Sequence, residues 1–139
     1  MNVPDTNVVS EGFKANPHPG VAAFLSATPL RTLYLAAPVL AELRFGAARL
    51  PRSRRRTSLE TDIEDLERVL YRGRILAFDA TAARHYAEIM AHRFAIGRPV
   101  AVIDAQIAAI ARANGMRLVT RNVRDFEATG VDLVDPFAL

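Results

Sequence analysis

Asp5, Glu42, Asp104 and the near neighbours Asn122 and Asp125 are oxygen donors placed where short strands end or helices begin. Such a set could hold Mg²⁺, which takes a few carboxylates and fills its remaining positions with waters or phosphate oxygens. Two of these acids break the apolar logic around them. Glu42 stands among Leu40, Ala41 and Leu43, with Phe45 and Gly46 on its side one turn on, and Asp104 lies between Ile103 and Ala105 in a nearly uncharged run. Carboxylates there are partly buried or functional, because unpaired like charges buried together would drive protonation. A divalent cation removes that conflict. Taken singly, each acid is also explained as a charge favoured by a helix N-terminus. "DTN" at Asp5 to Asn7 is explained equally as a polar strand exit, since Asp, Thr and Asn bond readily to nearby backbone. Those explanations weaken if all the acids reach one edge, which only the fold can bring about.

The elements that would position them alternate short β-branched or aromatic runs with longer helical ones. Strands are expected over 2–5, 32–36, 74–78, 117–120 and 132–134, each short enough to be buried on both faces as parallel strands are. Pro4 lacks an amide, so the first strand must be irregular or exposed on that side. In "APVLAELRFGAARL", Pro38 suits a first helical position, with Val39, Leu40, Leu43, Ala47 and Leu50 as the apolar face. "TSLETDIEDLERVLYRG" reads as a capping box from Thr57 to Glu60, an apolar side of Leu59, Ile63, Leu66, Val69 and Leu70, and a stop near Gly73. "ATAARHYAEIMAHRFAIG" repeats the pattern with Ala83, Tyr86, Met90 and Phe94, and "RPVAVIDAQIAAIARANG" with Ile103, Ile107 and Ile110. The expectation is one α/β domain over residues 1–139, a short parallel sheet of four to five strands flanked by helices. In such a sheet, strand C-termini and the N-terminal halves of flanking helices share the edge where ligands bind. Asp5, Glu42, Asp104 and the 122–125 segment all map to it.

Composition narrows the partners. Half of the 139 residues are hydrophobic, enough for a core without staples, and there is no cysteine for disulfides or thiolate metal sites. With no signal-like start and no long uncharged apolar run, a cytoplasmic protein free of membrane is expected. The net charge is only +3, yet Lys14 is the single lysine among 18 basic residues. Arginine forks grip phosphate and stack on bases. The cluster of Arg49, Arg52, Arg54, Arg55 and Arg56 forms an electropositive knob, with Arg54, Arg55 and Arg56 as candidate RNA contacts.

The stretches "DTNVVSE", "APVLAELRFGA", "IDAQIAAIARANG" and "LVTRNVRDFEATGVDLVDPF" together resemble the PIN-domain ribonucleases, and within them the VapC-type toxins of bacterial toxin–antitoxin pairs. The resemblance covers nearly the whole chain. It implies metal-binding acids at Asp5, Glu42 and Asp104, dependence on Mg²⁺ or Mn²⁺, hydrolysis of RNA phosphodiester bonds, frequent homodimers, and inhibition by a small antitoxin. Thr6 and Asn7 would bond the first aspartate or its waters, and Thr120 and Arg121 would support the site or touch phosphate. The match departs at the fourth acid. Some members carry aspartate directly after Thr-Arg, where this chain has Asn122, with Asp125 three residues on. Asn122 is expected nearer the strand edge, and Asp125 as a cap or outer acid on a segment that turns away.

Other acid-edge enzymes fit poorly. A haloacid dehalogenase-type phosphatase needs a second aspartate where Asn7 stands, and both it and a receiver domain need a later lysine that this chain lacks. His18, His85 and His92 have no zinc spacing. A catalytically silent PIN-like module, binding nucleic acid or an acidic protein through its arginines, is the alternative. Retention of Asp5, Glu42 and Asp104 argues against it.

Overall fold

The computed structural model describes residues 1–138. Its elements run β1 (Asn2–Pro4), α1 (Thr6–Glu11), α2 (Pro19–Ala27), β2 (Leu35–Ala36), α3 (Ala37–Ala48), α4 (Arg54–Asp65), β3 (Ile75–Leu76), α5 (Ala80–Ala95), α6 (Val102–Ala113), β4 (Arg117–Val119), α7 (Val123–Phe126) and β5 (Leu133–Val134). All pairings are parallel. β4 lies between β1 and β5, β2 pairs with β3, and one bridge from Asn2 to Leu33 joins the two ladders. The resulting order, β3-β2-β1-β4-β5, reverses direction between β1 and β4, and the crevice outside such a reversal is where open α/β sheets bind ligands.

The sheet resolves the conflict at Pro4. Successive residues of a parallel strand bond to opposite neighbours. Asn2 accepts from Tyr34 on the β2 side and Asp5 donates to Val119 on the β4 side, both at 2.9 Å. Pro4 therefore turns its missing amide toward β2, where the ladder has already parted after the Asn2–Leu33 bridge. The strand expected over 32–36 is shortened to Leu35–Ala36 by a 3₁₀ turn at Leu30–Thr32.

Helix α6 is central to the core. Ala105, Ile107, Ala108, Ala109, Ile110 and Ala111 are all buried, and this run of small side chains lets the helix lie close to the sheet while the isoleucines fill the gaps. It stops at Gly115, whose positive φ of 63° is the left-handed turn that glycine adopts without penalty. Among the described residues no helix is long and apolar enough to cross a membrane.

Three sequence expectations are corrected. Helix α4 begins at Arg54, not Thr57: Ser53 caps it by accepting from Arg56 N–H at 3.2 Å, so Thr57 lies inside the first turn. Arginine is a good helix former, and the three-arginine run opens the helix. A π-turn at Leu66–Leu70 then inserts an extra residue, keeping Leu66 buried while swinging Val69 and Leu70 outward, Val69 to 68% exposure. In α5 the buried residues are Ala82, Ile89 and Arg93, with Tyr86 and Met90 packed beside them, while Ala83 is exposed and Phe94 is 80% exposed. An alanine-rich helix presents two adjacent stripes of similar hydropathy. The choice goes to the one whose arginine finds partners: Arg93 Nη1 donates to the Asp125 and Glu127 carbonyls at 3.0 and 2.5 Å, and Nε to the Arg98 carbonyl at 2.5 Å.

Candidate active site

Asp5 ends β1 and caps α1. Its Oδ1 accepts from Val8 N–H at 3.1 Å, the local role its position in a strand exit suggested. Its Oδ2 accepts the Thr120 hydroxyl at 2.5 Å, a contact bridging 115 residues of sequence. The side chain is therefore held by two donors from different elements, only 5% exposed, beside a Thr120 that is 0% exposed. Burial raises the Asp5 pKa against the lowering effect of the Thr120 and Val8 bonds, and the nearby charge of Glu42 raises it further.

Glu42 lies in the second turn of α3, which starts directly after β2 and so carries it to the same edge. Thr6, the first residue of α1, donates its hydroxyl to Glu42 Oε1 at 2.5 Å. Asp104 sits in the first turn of α6. Its pKa is pushed from an ordinary 3.8 to about 6, first by burial and then by Glu42, Asp125 and Asp5 in turn. Asp104 is thus within electrostatic reach of three other carboxylates, and the acids expected at one edge do gather there.

The 122–125 segment brings two candidates to this edge. Asn122 N–H donates to Thr120 Oγ1 at 3.0 Å, so its backbone supports the hydroxyl that holds Asp5. Its side chain makes no capping bond to α7 and borders a polar cleft with Asn7, Ser10, Glu11, Lys14, Arg121 and Phe137. Asp125, one helical turn later, is the residue whose charge reaches Asp104. Asn7 is exposed on α1 directly after Thr6, and the Arg121 guanidinium lies over the Phe137 ring, 5.0 Å from its centre. Arg54 and Arg55 are exposed on the first turn of α4, whereas Arg56 donates to the Leu50 carbonyl at 3.1 Å and pairs with Glu60. Arg93 and Arg98 were not anticipated. Arg98 Nη2 donates to the Arg124 carbonyl and to Glu127, each at 3.1 Å, so the two arginines grip the segment bearing Asp125. An arginine within an amphipathic run carries no sequence signal of such a role.

The donor set suits a hard divalent cation. Among the described residues, no ion pair involves Asp5, Glu42, Asp104 or Asp125, although the chain has 18 basic residues. Four acids that repel one another in a partly desolvated crevice lack the counter-charge that Mg²⁺ would supply. Among the described residues no three acidic or imidazole groups are drawn together tightly enough to enclose an ion.

Comparison with known proteins places this geometry in a family. A PIN domain is matched over residues 3–131. The chain is 42% identical to the VapC ribonuclease Y4jK of Sinorhizobium fredii across 99% of its own length and 98% of the relative's. It is 35% identical to toxin FitB of Neisseria gonorrhoeae across 96% of each. The crystal structure of FitAcB from that organism superposes with a TM-score of 0.93 over all of both chains at 35% identity. On its sequence, its parallel sheet and its acidic crevice, the chain belongs to the PIN-domain family, among the VapC- and FitB-type toxins.

Proposed function

We propose that this protein is a Mg²⁺-dependent endoribonuclease, with Mn²⁺ as a substitute, and the toxin of a toxin–antitoxin pair. The observation that carries the proposal is the gathering of Asp5, Glu42, Asp104 and Asp125 without a basic partner at the sheet's switch point. A metal bound there would supply an activated water for in-line attack on an RNA phosphodiester and charge stabilisation for the leaving oxygen. The chain's own residues prepare that site. Thr120 fixes the free oxygen of Asp5, Thr6 orients Glu42, and burial keeps Asp5 and Asp104 poorly hydrated and ready to exchange protons for metal. No side chain need serve as nucleophile.

A small cognate antitoxin belongs to the proposal, supported by the likeness to FitAcB and to FitAB bound to DNA. So does pairing of two copies. The exposed Phe45, Phe94, Ile96 and Val102 lie on or beside α3, α5 and α6, and α3 and α5 each pack against α6. Cytoplasmic action, where RNA is found, follows from the same proposal. The test is RNA cleavage by Asp5→Asn and Asp104→Asn variants with Mg²⁺, Mn²⁺ or excess EDTA. Both variants and the EDTA control should be inactive, and full activity in any of them would refute the metal-dependent acidic site.

A further inference from the structure

The polar cleft beside Asp5 has a volume of about 310 Å³ and is walled by Asn7, Ser10, Lys14, Arg121, Asn122 and Phe137, with Glu11 at its base. A hydrogen-bond path ties it to the acidic crevice: Asn122 N–H donates to Thr120 Oγ1, whose hydroxyl donates to Asp5. The cleft thus begins where the acids end, with the opposite charge. Glu11 is buried, paired with Lys14 and accepting from His18 N–H at 2.9 Å, and Lys14 together with that backbone donor holds its pKa down. It is a neutralised anchor for Lys14, whose side chain remains 61% exposed. Arg121 makes no ion pair among the described residues. Its guanidinium lies over the Phe137 ring, which meets the His18 ring at a 54° tilt with centres 4.9 Å apart. Attraction to the ring face holds the cation in place without using its N–H donors, which stay available for a phosphate.

We propose that this cleft is a phosphate subsite, taking a backbone phosphate of single-stranded RNA next to the one cleaved, with Arg121 as the principal donor and Lys14, Ser10 and the side-chain amides of Asn7 and Asn122 around it. The inference rests on the nuclease proposed above. It explains how a polyanion is drawn toward a crevice of repelling carboxylates: a fixed cation beside the acids anchors the strand, and interactions with the non-reacting part of a substrate position the reacting part.

The experiment measures binding of a fluorescein-labelled single-stranded RNA in EDTA across a salt series, for wild type, Arg121→Gln, Lys14→Gln and Arg31→Gln, with Mn²⁺ titrated calorimetrically into each. Arg31 precedes β2 and so lies toward the opposite edge of the sheet. Arg121→Gln should weaken RNA binding about tenfold, the scale of one missing charge-assisted hydrogen bond, and flatten the log-salt slope by about 0.7. Its Mn²⁺ affinity should be unchanged, Lys14→Gln should show a smaller effect in the same direction, and Arg31→Gln none. Unchanged RNA affinity and slope in Arg121→Gln, with Mn²⁺-dependent cleavage intact, would overturn the subsite alone. A wild type that binds Mn²⁺ but neither binds nor cuts RNA would overturn the nuclease and the subsite together.

Discussion

The hydroxyl of Thr120 donates to Oδ2 of Asp5 at 2.5 Å, joining the exits of β4 and β1 across the point where the sheet reverses its order. This bond sets the carboxylate's direction and favours its charged form, opposing a burial that favours the neutral one. Thr120→Val keeps the shape and removes the donor. The Asp5 pKa should rise further, the acid limb of the rate profile should move to higher pH, and cleavage at neutral pH should fall about tenfold or more. Carbon-detected NMR titration of the Asp5 carboxyl in metal-free protein checks the first expectation, and an acid limb that stays in place refutes it.

Asp104 links the site to stability. Its carboxyl titrates at about 6 in the fold against an ordinary 3.8. Between those values the folded protein holds a proton that the unfolded chain has released, so the group's contribution turns unfavourable as pH rises through this window and stays so above it. Asp104→Asn should therefore stabilise metal-free protein at pH 7.5, by about 1–2 kcal/mol after discounting for solvent screening. The gain should vanish near the lower end of the window. Urea unfolding in EDTA at both pH values measures it, and a variant less stable than wild type at pH 7.5 would contradict the charge cluster.

The fourth acid can be assigned by metal affinity. From the sequence, Asn122 is the nearer neighbour of the edge, and Asp125 adds its charge at Asp104. Asp125→Ala should weaken Mn²⁺ binding about tenfold, a typical result of losing one carboxylate near a cation. Asn122→Asp should tighten it less than that. Calorimetric titration distinguishes the two, and a large gain in Asn122→Asp with no loss in Asp125→Ala would return the role to Asn122.

The arginine knob separates into two kinds of residue. Arg54 and Arg55 are exposed on the first turn of α4, where positive charge opposes the helix dipole. Their place is not owed to helix stability. Neutralising both to Gln should leave Tm equal or slightly higher while lowering the RNA salt slope by about 0.7 for each phosphate they neutralise in the wild type. Arg56→Gln should instead lower Tm, because Arg56 holds the Leu50 carbonyl and Glu60. An unchanged slope in the double variant would mark the knob as a solvated surface or a protein-binding one.

Much of this site was legible because each acid stands next to an element boundary that sequence marks well. Asp5 follows a short β run, Asp104 opens an apolar helix, and Glu42 interrupts one. The parallel topology then carries all three to one edge. What sequence left hidden was rotation and reach. A periodic pattern could not decide between adjacent stripes of α5, or foresee the π-turn that exposes Val69. Nor could it rank Ser53 above Thr57 as a cap, since both are sound capping residues and only the path of the preceding chain chooses. The direction of Asp125 depends on how α7 is held, and that depends on a residue no pattern would single out.

That residue is Arg93, 4% exposed. Its guanidinium has no carboxylate partner among the described residues and spends its donors on the Asp125, Glu127 and Arg98 carbonyls. A buried arginine bonded only to main chain fixes the path of that chain, here the end of α7 and hence the position of Asp125. Arg93→Met fills similar space but leaves three carbonyls without their donors, and should cost about 2–4 kcal/mol of stability. Arg93→Lys keeps the charge and part of the bonding, and should fold with a smaller loss. If Arg93 acts on the site through Asp125, Arg93→Lys should weaken Mn²⁺ binding in the wild-type background but have little further effect in Asp125→Ala. The coupling in this double-mutant cycle separates positioning from general destabilisation. Equal losses of Mn²⁺ affinity in the two backgrounds would show that Arg93 supports the fold without directing the fourth acid.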